Sequence, residues 1–210
     1  MYILSLIFII PLFIYWCANE KIGLQLSIVY IVSAWVINVL QHSDIWLSFH
    51  IGYGYIIAAV IFCFYIFFRK RLEALFAKGG FRVYLISTAV ASFLMILYRP
   101  EPEFVLPGGL LLGLGAGYCL CKRYVGFKSA DYLERKLILV ILTVVLRILI
   151  GLGVLALIAY RVNSFMPHLS ENQNIFLYTF LCCAVCGFWI TIVAPFVFIK
   201  LRLAGIDIKQ

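Results

Sequence analysis

The chain reads as an all-α, polytopic membrane bundle of about seven transmembrane helices, with the N-terminus outside and the C-terminus in the cytoplasm. Three observations lead there. Of 210 residues, 65% are hydrophobic and 12% charged, against about 45–50% and about 25% in soluble domains. The apolar residues gather in long continuous runs, and the basic residues fall in alternate connections between them. A soluble core of this size could not cover so much apolar surface, so the excess must face lipid. The same composition excludes disorder, collagen, coiled coils and secreted disulfide scaffolds. It also excludes a soluble nucleic-acid-binding protein despite the net charge of +8, and no nucleic-acid partner is expected.

The runs are 2–17, 23–40, 51–68, 83–98, 104–121, 137–160 and 175–199. A crossing helix needs about 20 apolar residues. Runs 2–17, 83–98 and 104–121 fall short of that, and length alone does not decide whether they cross fully. The first run has no basic leader and no small-residue cleavage site, and it ends in Tyr15 and Trp16. It reads as an uncleaved span, not a signal peptide. Strands are not expected, because membrane strands alternate polar and apolar residues and these runs do not. The stretch 69–82 sets Leu72, Leu75 and Phe76 among basic residues and stops at Gly79-Gly80. That pattern predicts a short amphipathic helix on the inner surface.

In the fifth run Gly109, Gly113 and Gly117 recur every four residues. This stripe predicts close helix packing, with a substrate groove as the other reading. Pro107 reads as the entry of that helix or a kink in it. The seven cysteines sit in or beside apolar runs and read as packing residues. Cys183 and Cys186 form a C-x-x-C without a second pair, so neither a metal site nor a cofactor is expected.

Charge sets the orientation. Of 17 basic residues, 14 lie in the connections 18–22, 69–82 and 122–136 and in the tail, while Arg99 and Arg161 lie on the other side. Positive residues stay in the cytoplasm. The outer side instead carries His42, His50, His168, Asp44, Glu101, Glu103 and Glu171. His42, Asp44, Glu101, Glu103 and His168 are its polar candidates, and ordinary polar loops are the competing reading. The turn Arg99-Pro-Glu-Pro-Glu103 holds two carboxylates near the surface, as a stiff connector or a cation site.

Arg147 stands in the middle of the sixth run. A charge there costs about 2.5–3.5 kcal/mol on insertion scales, so it should face the bundle interior. It is expected to meet an acidic side chain, backbone carbonyls, water or a lipid phosphate. Gly151 and Gly153 would leave room for such a cavity. Arg147 and Arg99 are the candidates for lipid or phosphate binding, since guanidinium can hold phosphate bidentately.

The stretch Ser43-Asp-Ile-Trp-Leu-Ser-Phe-His50-Ile-Gly-Tyr-Gly54 resembles the third signature, Ser-Arg-x5-His-x3-Asp, of the type-2 phosphatidic acid phosphatase superfamily. In that superfamily a histidine attacks a phosphoryl group, cationic side chains hold its oxygens, and an aspartate orients the histidine. The resemblance gives His50 and Ser43 as catalytic candidates. It also puts Asp44 where the arginine stands and Gly54 where the aspartate stands. Asp44 would repel phosphate, and Gly54 cannot orient an imidazole. The superfamily's Lys-x6-Arg-Pro and Pro-Ser-Gly-His signatures do not occur in this chain.

Downstream, the stretches 106–117, 122–127, 187–196 and 201–204 are similar to a membrane extension carried by some bacterial members. The resemblance implies one integral domain over 1–210. Residues 1–68 would be the remnant of a phosphatase bundle, and 83–204 the C-terminal membrane extension. It further implies a truncated, catalytically degenerate protein of the cytoplasmic (inner) membrane, bacterial in origin. That protein would lack standard phosphatase activity and act in lipid or partner binding. Its partners would be membrane lipids, among them lipid phosphates, and another protein or a second copy of itself. Two alternatives stand beside this: a lipid phosphohydrolase using His50 with groups supplied elsewhere, and a small transporter or flippase component with Arg147 facing a cavity.

Overall fold

A computed structural model describes residues 8–42, 83–99, 101–129, 137–169 and 175–206, with the single positions 60, 61, 63, 65 and 67. Its helices are α1 (Ile9–Cys17), α2 (Glu20–Gln41), α3 (Val83–Tyr98), α4 (Pro102–Leu120), α5 (Leu137–Leu169), α6 (Ile175–Phe188) and α7 (Ala194–Lys200). A π-helical turn, Cys121–Val125, prolongs α4, and a second, Trp189–Val193, joins α6 to α7. Four segments are long and apolar enough to cross a membrane: Glu20–Leu40, Pro102–Val125, Leu137–Val162 and Ile175–Lys200. The helix α3 is shorter, and α1 covers the part of the first run from Ile9 onward. Most of the run 51–68 and all of the stretch 69–82, with its expected amphipathic helix, lie outside the described residues.

The chain turns back between α1 and α2 at Asn19. Its side-chain oxygen accepts from the backbone N–H groups of Lys21 and Ile22, at 3.0 and 3.1 Å. These are two of the donors that a helix start leaves unpaired. That cap starts α2 at Glu20, three residues before the apolar pattern places it. The hairpin then closes tightly. A Cβ on Gly23 would stand 2.2 Å from the Tyr15 backbone nitrogen, so only glycine fits there.

The central helix is α4, with 67% of its span buried, against 17% for α5. Glycines on two faces make this possible. Cβ atoms on Gly109 and Gly113 would collide with the Phe180 and Ala184 carbonyls of α6, and one on Gly115 with Thr88 of α3. The glycine stripe is therefore a packing seam between backbones. On the α3 side, Ser92 Oγ donates to the Gly108 carbonyl at 2.7 Å. The outer faces of α3 and α5 are apolar, with Val90, Phe93, Leu94, Leu97, Ile138, Leu149 and Leu157 more than half exposed. Such faces suit lipid, as the membrane reading requires.

Four local expectations change. The helix α4 begins at Pro102, because proline at the first helical position loses no hydrogen bond. Pro107 therefore lies inside the helix and not at its entry. It cannot donate to the Glu103 carbonyl four residues back, and Asn38 Nδ2 does so instead, at 3.0 Å. The sixth helix runs on to Leu169, past the end of the apolar run at 160. A short antiparallel pair, Phe127–Lys128 with Gly205–Ile206, interrupts the all-helical pattern. It ties the connection after α4 to the tail after α7.

Candidate functional site

At one end of the bundle α1 finishes, the π-turn after α4 reverses direction, and the tail leaves α7. Each segment end leaves carbonyls without a helical partner. Arg147, fully buried on α5, reaches three of them. Its Nη1 donates to the carbonyls of Trp16 and Ser129, the latter at 2.8 Å, and its Nη2 to that of Leu203 at 2.5 Å. The rings of Phe127 and Phe198 each lie 5.8 Å from the guanidinium carbon, close enough for cation–π attraction. Ser129 links this charge to a carboxylate: its hydroxyl donates to Glu20 Oε2 at 2.7 Å while its carbonyl takes Arg147. Arg147 thus clasps three chain segments that are far apart in sequence.

Tyr15 and Trp16 complete the clasp. Pro195 has no N–H for the carbonyls four and five residues back, Thr191 and Ile190. Tyr15 Oη donates to the Thr191 carbonyl at 3.1 Å, and Trp16 Nε1 to that of Ile190 at 3.0 Å. Gly151 does not open a cavity for Arg147, because a Cβ there would meet the Trp16 ring at 2.4 Å. The indole fills the space the glycine leaves, and Trp189 Nε1 donates to the Gly151 carbonyl. Gly153 has nothing within 4 Å of a would-be Cβ.

Beside the clasp is a cleft of about 310 Å³ lined by Tyr15, Glu20, Lys21, Tyr118, Cys121 and the turn Lys122–Phe127. Gly126, at φ 60°, lets that turn fold back, its N–H donating to the Cys121 carbonyl at 2.9 Å. Lys21, Lys122, Arg123 and Tyr124 are exposed around the cleft. The guanidinium of Arg123 lies 5.5 Å from the centre of the Tyr124 ring.

The opposite end carries the acidic group. Arg99 Nε pairs with Glu101 at 3.1 Å, both about half exposed. His42 Nε2 lies 3.8 Å from Glu103 Oε2, and its ring stands edge-on to Phe104 at 5.1 Å. Tyr98 and Trp35 continue this aromatic layer. Glu101 and Glu103 therefore face separate basic partners. His168 lies on α5. Ser43, Asp44 and His50, and with them the whole motif 43–54, lie outside the described residues. Among the described residues no group of histidine, cysteine and carboxylate side chains is placed to hold a metal.

Sequence reasoning singled out Arg147 but not its partners, and it overlooked the cleft. The signal was there in part, since Lys21 and the pair Lys122-Arg123 flank two of the apolar runs.

Residues 105–206 match the family model of the transmembrane extension of PAP2 superfamily phosphatases. They are a PAP2 superfamily extension. The matched segment includes α4 from Val105 onward, α5, α6, α7 and both strands, and so carries Arg147 and two of the three carbonyls it holds. The stretches 106–117, 122–127, 187–196 and 201–204, which resemble the membrane extension, all fall within it. No curated protein and no solved structure matches the chain. With its apolar helices, the PAP2 extension makes this an all-α protein integral to a membrane.

Proposed function

We propose that this PAP2-related membrane protein works by binding lipid or a protein partner and not as a standard phosphatase. The observation that carries the reading is the use made of Arg147. Arg147 is a fully buried cation of the matched segment, and its guanidinium is directed at main-chain carbonyls of the fold. A phosphoryl-transfer site needs cationic donors aimed at the reacting oxygens. The stretch around His50 supports the same conclusion, with Asp44 and Gly54 in place of the arginine and aspartate that such a histidine requires. The reading places the protein in the cytoplasmic membrane of a bacterium. The end with Arg147 and the cleft faces the cytoplasm, where three of the four basic segments fall together.

Phosphate release from phosphatidic acid and undecaprenyl diphosphate tests this. The purified full chain in lipid nanodiscs is expected to release phosphate no faster than empty nanodiscs. Steady turnover that disappears in His50→Ala would overturn the proposal and make the chain a phosphohydrolase.

A further inference from the structure

We infer that the cleft between the start of α2 and the turn after α4 binds a phosphate group, carried by an anionic lipid at the basic face. The inference rests on the lipid-binding reading above and gives it a place and a headgroup chemistry. Four observations converge on it. The first is a cleft of about 310 Å³ that gathers these residues in one place. Its lining holds three basic side chains, Lys21, Lys122 and Arg123, and one carboxylate, Glu20. That carboxylate also accepts the Ser129 hydroxyl, and the three cations outnumber it. Ammonium and guanidinium donors together suit a phosphate, the one as a point charge and the other as a fork.

Depth is the third observation. The Glu20–Leu40 span has 21 residues, about 31 Å at 1.5 Å per residue, which matches a hydrocarbon core about 30 Å thick. The Pro102–Val125 span ends at the same cleft. Lys21 and Lys122–Val125 therefore stand where the apolar core ends and headgroups begin. Tyr118 and Tyr124 line the cleft there, and tyrosine favours that boundary. Finally, the cleft is opened by the start of α2, whose positive dipole end adds to the basic side chains there, while its first N–H groups stay with Asn19.

Lipid retention by the detergent-solubilised full chain, read by native mass spectrometry, tests the site. Phosphatidylglycerol is expected to bind about tenfold more tightly than phosphatidylcholine. The triple variant Lys21→Gln/Lys122→Gln/Arg123→Gln should lose that preference. These side chains are exposed, so the fold should survive, and an unchanged melting temperature would show it. The variant Lys128→Gln/Lys200→Gln removes basic residues outside the cleft and should keep the preference. Equal loss in both variants would overturn the site in favour of a diffuse basic surface. Equal retention of the two lipids would overturn the headgroup assignment while leaving lipid binding in place. Retention of neither would count against both. Displacement of phosphatidylglycerol by millimolar inorganic phosphate would overturn the lipid source and assign the cleft to free phosphate.

Discussion

Arg147→Leu is expected to abolish the native bundle, or to lower its stability by about 3 kcal/mol or more. The substitution strands the carbonyls of Trp16, Ser129 and Leu203. A buried acceptor left unpaired costs about 1–3 kcal/mol. Arg147→Lys should fall between, because one ammonium lacks the planar fork that reaches three carbonyls at once. Thermal unfolding in detergent, followed by tryptophan fluorescence, measures both. Leu149→Ala is the control: its side chain is 63% exposed on the outer face of α5, and its change should stay small. If Arg147→Leu melts with the parent protein, the clasp does not hold these segments together.

Gly113→Val is expected to separate α4 from α6. A Cβ at this position would stand 2.2 Å from the Ala184 carbonyl oxygen and 2.9 Å from Gly187 Cα. Backbone lies on the far side, so no flexible side chain can yield. Overpacking of this kind costs about 1–3 kcal/mol, and more where neighbours cannot shift. Gly153→Ala reverses the sign. Nothing lies within 4 Å of a Cβ there, and alanine in a helix gains roughly 0.5–1 kcal/mol over glycine. Melting temperatures of the two variants should therefore move in opposite directions. A Gly113→Val protein as stable as its parent would show that the two backbones are not in contact.

The contrast between these glycines shows what could be read from sequence. The stripe 109, 113, 117 was legible because a four-residue period places small residues on one helix face. Gly151 and Gly153 carry no such period, and the pair looked like room for a cavity. Only the position of Trp16, far away in the chain, reveals that Gly151 is filled. Likewise Tyr15 and Trp16 look like a membrane-boundary pair at the end of an apolar run. Their hydrogen bonds to carbonyls freed by Pro195 depend on tertiary placement that no local pattern encodes. Pro102 looked like part of a rigid turn, and Pro107 like a helix entry or a kink. A proline is equally at home at a first helical position, and an interior one survives when a neighbour such as Asn38 takes the freed carbonyl. Four crossing segments, in the runs 23–40, 104–121, 137–160 and 175–199, were legible because lipid selects for unbroken apolar runs. The cleft was not, because Lys21 and Lys122 are close in space but about 100 residues apart in the chain.

Thiol labelling in intact cells asks which end of the bundle faces the cytoplasm. Glu103→Cys places a reactive group beside His42, and Arg202→Cys places one just beyond α7, next to the Leu203 carbonyl held by Arg147. Labelling is scored against the parent protein, so that its own cysteines are subtracted. A membrane-impermeant maleimide should label the Glu103→Cys protein in intact cells. It should label the Arg202→Cys protein only after the membrane is opened. The opposite pattern would put the Arg147 clasp and the basic cleft outside the cell and contradict the orientation derived from charge.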